Sequence, residues 1–151
     1  MPNAPAPIVP LISSSVTGPL GVCHLPRLWL KILLHACGRL PEGYRHGSGG
    51  FDGLTLEGLG IDAAAFVAFI ETSRPTYLEC EAWVRANATN LDAASITKLN
   101  TAIVARDKPA EAAAELRAQL GVDDSVRKAI ALNDLDDWAL AHASIVAGPP
   151  G

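Results

Sequence analysis

Aromatic side chains make up only 5% of this 151-residue chain and charged ones only 19%, while cysteine occurs three times and no charged residue precedes Arg27. Each scarcity excludes something. With few aromatics, a core must be assembled from close contacts between small aliphatic side chains, and a hydrophobic fraction of 49% supplies enough of them for one domain without metal or disulfide staples. Cys23, Cys37 and Cys80 cannot all pair within one chain and form no Cys-x-x-Cys motif, so they are expected as reduced, buried thiols. A net charge of −4 gives no general attraction to nucleic acid or to an anionic membrane surface. No stretch approaches the roughly 20 apolar residues that cross a bilayer. The N-terminus shows neither the basic cluster nor the apolar run of a signal peptide, and the expected compartment is the cytoplasm.

What is present centres on His24-Leu25-Pro26-Arg27-Leu28-Trp29-Leu30-Lys31-Ile32-Leu33-Leu34-His35-Ala36-Cys37. Proline suits the first turn of a helix and Gly38 its end, which predicts a helix from about Pro26 to Cys37. Apolar residues cover most of its circumference, so it should be buried. Arg27, Lys31 and His35 recur at every fourth position and share one narrow stripe. Buried like charges persist only beside carboxylates, open water or a bound anion. The stripe therefore predicts a cleft that accepts a small anionic metabolite, with Arg27 and Lys31 short of protein counter-ions.

Residues 1–22 are proline-rich and uncharged, which forbids a regular helix and predicts an arm that lies across the domain or a partner subunit, with disorder as the alternative. Residues 23–147 read as a single α-helical domain. After the first helix, Arg39 to Gly53 forms a glycine-rich loop that holds Tyr44, Arg45, His46, Ser48 and Asp52. It lacks the Lys-Ser/Thr ending of a phosphate loop.

Beyond it, Leu54, Leu56 and Leu59 suggest a helical turn stopped by Gly58 and Gly60. Asp62 and Asp92 are placed to cap helices, and Pro75 to start one through Val84. Ile96, Leu99, Ile103 and Val104 should face inward. An alanine-rich helix closes at Gly121. Asp124 or Ser125 opens another, Asn133 or Asp134 caps a last one through Trp138, and Gly148-Pro149-Pro150 ends the order. With no strand pattern, the predicted class is all-α with six to eight helices.

The residues best suited to chemistry are His24, whose reference pKa near 6.5 allows proton transfer near neutrality, and Asp52, which could orient it. Arg27 offers a forked donor set, Lys31 a point charge, and His35, Arg45 and His46 further donors to an anion, with Tyr44 or His46 closing over the ligand. The bland alternative pairs Arg27 and Lys31 with Asp52 or Glu57 and leaves His24 as a helix cap. Cys23, His24, His35 and His46 match no zinc spacing, so no metal or other cofactor is expected. Cys37 and Ser48 lack the surroundings of a nucleophile. Arg85, Lys98, Arg106, Arg117, Arg127 and Lys128 read as surface charge, and Asp134, Asp136 and Asp137 as acids charging a helix N-terminus.

His24-Leu25-Pro26-Arg27, Lys31, Gly38, Leu40, Pro41, Tyr44, Phe51-Asp52-Gly53-Leu54, Leu59-Gly60-Ile61-Asp62, Phe66 and Trp83-Val84 together resemble the bacterial DUF5069 family over about residues 15–90. The resemblance implies an α-helical fold and picks out the same residues, but supplies no reaction. Three functions are therefore expected to compete. The first is a metal-free lyase or isomerase acting on a small anionic metabolite. The others are a non-catalytic anion-binding module and a homodimeric scaffold joined through the arm.

Overall fold

The computed structural model describes residues 5–148 and contains, among them, seven helices and no strand. The fold is all-α. They are α1 (Leu25–Ala36), α2 (Gly50–Leu59), α3 (Ala63–Ser73), α4 (Tyr77–Asn87), α5 (Ala93–Ala105), α6 (Ala110–Leu120) and α7 (Ala129–Val146). Pro149 and Pro150, read above as the end of order, lie outside the described residues, as does the start of the arm.

α1 is the centre of the core. Leu25, Leu28 and Ile32 are fully buried, and the helix packs on α3 and α4 while α2 packs on α3 and α5. Phe66 and Ile70 of α3, Val84 of α4, and Leu99 and Ile103 of α5 complete one apolar cluster. Trp83 stacks on Phe69 at 5.2 Å. Val104 is exposed rather than inward, because Leu99 and Ile103 already fill the buried face of α5. α6 and α7 form a hairpin of their own, tied to the rest where Ala129 N–H donates to the Arg106 carbonyl and Lys108 N–H to that of Arg127.

The caps explain where helices start. Asp62 and Asp92 each accept from the backbone N–H three residues on, and Thr76 and Glu79 form a reciprocal capping box that starts α4 just after Pro75. Gly60 ends α2 in the left-handed conformation, against Thr89, whereas Gly58 sits inside the helix. Phe51 and Asp52 belong to the first turn of α2, not to the preceding loop.

Two expected boundaries are corrected. Asp124 and Ser125 open no helix, because the Asp123 carboxylate accepts from the Ser125 N–H and hydroxyl in a tight turn. Asn133 and Asp134 cap nothing. They lie within α7, where Asn133 accepts from Lys108 and Asp134 from Ser13.

The arm lies along its own domain over the described residues. Ile8 N–H donates to the Arg39 carbonyl, Leu20 N–H to buried Glu81, and Asn100 uses both ends of its amide to hold Gly21 and Cys23. Cys23 and Cys80 are buried thiols; Cys37 is exposed, contrary to expectation. Among the described residues no single helix is long and apolar enough to cross a membrane.

Candidate functional site

His24 immediately precedes α1 in a left-handed conformation, φ 71°, that a residue with a side chain adopts only when its surroundings compensate the strain. Here the compensation is a pair of hydrogen bonds to the ring rather than a helix cap, since the side chain caps nothing. Ser14 Oγ lies 2.8 Å from Nδ1, and Asp52 Oδ1 lies 2.7 Å from Nε2. Asp52 can only accept, so the network assigns the ring proton to Nε2 and lets Ser14 donate to Nδ1.

Lys31, one turn along α1, donates to the same Asp52 oxygen at 2.6 Å, and Gly47 N–H donates to the other at 3.0 Å. All of these side chains are almost completely buried. Burial by itself would raise the Asp52 pKa, but the His24 hydrogen bond and the Lys31 charge outweigh it and hold the carboxyl below its ordinary value. Burial lowers the pKa of both His24 and Lys31, with Asp52 opposing. His24 is therefore a neutral imidazole in the middle of a satisfied chain.

Arg27 forms the second half. Its Nη1 donates to Asp137 Oδ2 at 2.6 Å and to the carbonyls of Pro10 and Ile12 at 2.8 and 2.9 Å, and its Nη2 reaches Asp137 Oδ1 at 3.3 Å. Tyr44 donates its hydroxyl to Asp137 at 2.8 Å, with its ring 5.9 Å from the guanidinium. Burial first, and then Asp137, raise the Tyr44 pKa well above the usual phenol value. The cations of the α1 stripe thus have protein counter-ions, and the expectation that they lack them is overturned. The acid on Arg27 is not Asp52 or Glu57 but Asp137, which sits mid-helix in α7 and charges no N-terminus.

These two networks form the floor of a cavity of about 370 Å³ between α1, the start of α2 and the α6–α7 hairpin. Arg45, Arg106 and Lys108 line it as well, and among the described residues none of the three makes an ion pair with a carboxylate. Arg106 lies over the Phe51 ring at 5.8 Å, and Lys108 Nζ donates to the Asn133 side chain at 3.0 Å. Arg106, read as surface charge, and Lys108 are both half-buried here.

Six of the residues singled out by sequence come together in this cavity: His24, Arg27, Lys31, Tyr44, Arg45 and Asp52. His35 and His46 do not. They are exposed and stack on each other at 3.7 Å outside it, because His35 is two turns beyond Arg27 and the stripe drifts round the helix to the surface. Among the described residues no three His, Cys, Asp or Glu side chains form a group that could hold a metal ion.

Compared with known families, the chain matches DUF5069, a domain of unknown function, over residues 11–138, and it belongs to that family. The match runs well past residues 15–90 and takes in Arg106, Lys108 and Asp137. No curated protein matches the chain.

Proposed function

We propose that this DUF5069 member binds a small anionic molecule in the cavity between α1 and the α6–α7 hairpin. The single observation that carries the reading is that Arg45, Arg106 and Lys108 line a cavity of about 370 Å³ with no carboxylate bonded to them among the described residues, while the deeper Arg27 and Lys31 are neutralised internally. Two forked guanidiniums and an ammonium suit a carboxylate or phosphate, and the Phe51 ring, Ala112 and Leu140 give the ligand a short apolar wall. Glu42 and Asp136, on the same lining, disfavour a second anionic group and leave room for hydroxyl or amine donors.

Inorganic phosphate and succinate, titrated calorimetrically into the folded chain at low ionic strength, test this. Saturable binding should weaken about tenfold in Arg45→Gln and in Arg106→Gln, the loss of one charge-assisted hydrogen bond. Absence of saturable binding by either anion, or binding in both variants as tight as in the unaltered chain, overturns it.

Acid–base chemistry on the bound anion is the second reading, favoured by the Ser14–His24–Asp52–Lys31 chain beneath the cavity, in which a proton can be relocated between partners 2.6 to 2.8 Å apart. In that reading His24→Gln abolishes turnover and spares affinity for the ligand. Affinity and turnover falling together would count against it.

A further inference from the structure

We propose that Lys108 is a nucleophilic amine that forms an imine with a small carbonyl compound whose anionic end is held by Arg45 and Arg106. The inference rests on the anion-binding reading for the orientation of that compound, and it narrows the ligand to an aldehyde or ketone bearing a carboxylate or phosphate.

Four observations converge on this lysine. It lines the cavity at half-burial, which makes it accessible to a ligand and partly removed from water. Its only side-chain partner among the described residues is the neutral Asn133 oxygen, so no carboxylate holds the ammonium form in place. Its backbone is pinned: the N–H donates to the Arg127 carbonyl, Pro109 follows it, and the connection between α5 and α6 is tied to the start of α7.

Finally, burial and the neighbouring charges of Arg45, Arg106 and Arg27 lower its pKa, against an opposing effect of Asp136. Desolvation and adjacent cations are the two means by which proteins supply a free amine near neutral pH. The other lysines lack this combination. Lys31 is buried against Asp52, Lys98 is exposed, and exposed Lys128 pairs with Asp107.

The chemistry closes without an oxidant or reductant. The unprotonated Nζ attacks the carbonyl carbon, the C–N bond forms as the carbonyl π pair moves to oxygen, and a proton passes from nitrogen to that oxygen to give the carbinolamine. Loss of water, carrying the former carbonyl oxygen, leaves the imine. Asp136 shares the cavity and can relay the proton, taking it from Nζ as the imine forms and passing it to the departing hydroxyl.

The test uses pyridoxal and pyridoxal 5′-phosphate, aldehydes that differ by one phosphate, with borohydride reduction at pH 7.5 and peptide mass mapping of the native chain. Exposed Lys98 and Lys128 are internal controls. A lowered pKa raises the free-amine fraction at pH 7.5, so Lys108 should label faster than either control with both aldehydes. The phosphorylated aldehyde should be the faster at Lys108, and added inorganic phosphate should erase that advantage. Lys108 labelling no faster than Lys98 with either aldehyde overturns the imine inference, whether or not phosphate binds. Preferential labelling of Lys108 by both aldehydes alike, indifferent to inorganic phosphate, supports the nucleophile and overturns the anion reading.

Discussion

Replacing Asp137 by Asn removes one charge and almost no volume, which isolates what the Arg27–Asp137 pair contributes. Both partners are nearly inaccessible, Arg27 at 4% and Asp137 at 3% exposure, so the guanidinium left behind would be a buried cation hydrogen-bonded to the Pro10 and Ile12 carbonyls and a neutral amide, with no carboxylate bonded to it. Breaking a buried pair from one side costs about 3–5 kcal/mol, against a whole-domain stability of about 5–15 kcal/mol. At 2–4 °C per kcal/mol for a chain of this length, Tm should fall by about 6–20 °C. An exposed pair would give at most about 1 kcal/mol. Urea unfolding followed by tryptophan fluorescence, alongside a thermal scan, measures the difference. Arg27→Met should cost a similar amount, and the double variant should cost less than the sum of the singles by about 2 kcal/mol or more, since either change already destroys the pair. An Asp137→Asn cost below about 1 kcal/mol, or strict additivity in the double variant, would refute the reasoning.

Burial holds His24 neutral in the folded chain, so the unfolded chain binds more protons between the lowered folded value and about 6.5. Stability should therefore fall as pH drops below about 6.5, and fall again below about 4 as Asp52, whose pKa is depressed by folding, is protonated. Urea midpoints from pH 8 to pH 3 check this, and a flat profile between pH 7 and 5 would contradict it. A thiol reagent should modify one cysteine quickly in the native chain, mapped to exposed Cys37, while Cys23 and Cys80, the latter pushed up to about 12 by burial, react only on unfolding; two fast thiols would be the wrong result. Gly47 has φ 122°, and a Cβ there would meet the Val67 side chain, while its N–H serves Asp52. Gly47→Ala should destabilise by about 1–3 kcal/mol by urea unfolding, and a neutral outcome would show that the loop repositions freely.

Local signals were legible because local physics decides them. Asp62 and Asp92 are N-caps by side-chain chemistry, Gly121 ends α6 because a left-handed residue is needed there, and α1 is bounded by Pro26 and Gly38. Asp137 was not legible as Arg27's partner, since the two are 110 residues apart and nothing near Asp137 reports on α1. A signal existed even so. Once α7 is taken as a single helix from Ala129, residues Ala129, Leu132, Asn133, Asp136, Asp137 and Leu140 fall on one face, and three polar residues on the inward stripe of a helix call for partners. Treating Asn133 or Asp134 as a cap cut the helix in two and hid that face. Arg106 and Lys108 were missed for a related reason: burial of residues in a connection depends on which elements it joins, and sequence spacing does not encode that.

The division between floor and rim follows from the cost of an empty site. A cation as deep as Arg27 or Lys31 without a carboxylate would destabilise the unliganded fold by several kcal/mol. Such residues must be neutralised by the chain itself, and here each acid arrives from a different helix, Asp52 from the first turn of α2 and Asp137 from the middle of α7. The same pairs also hold the arm, through Pro10, Ile12 and Ser14, and the glycine-rich loop, through Gly47 and Tyr44. Charges meant for a ligand have to wait where water can serve them meanwhile, which is where Arg45, Arg106 and Lys108 stand. Deep cations on α1 therefore mark where the fold is fastened, and the shallower ones gathered from the loop and the α5–α6 connection mark where we propose that an anion is received.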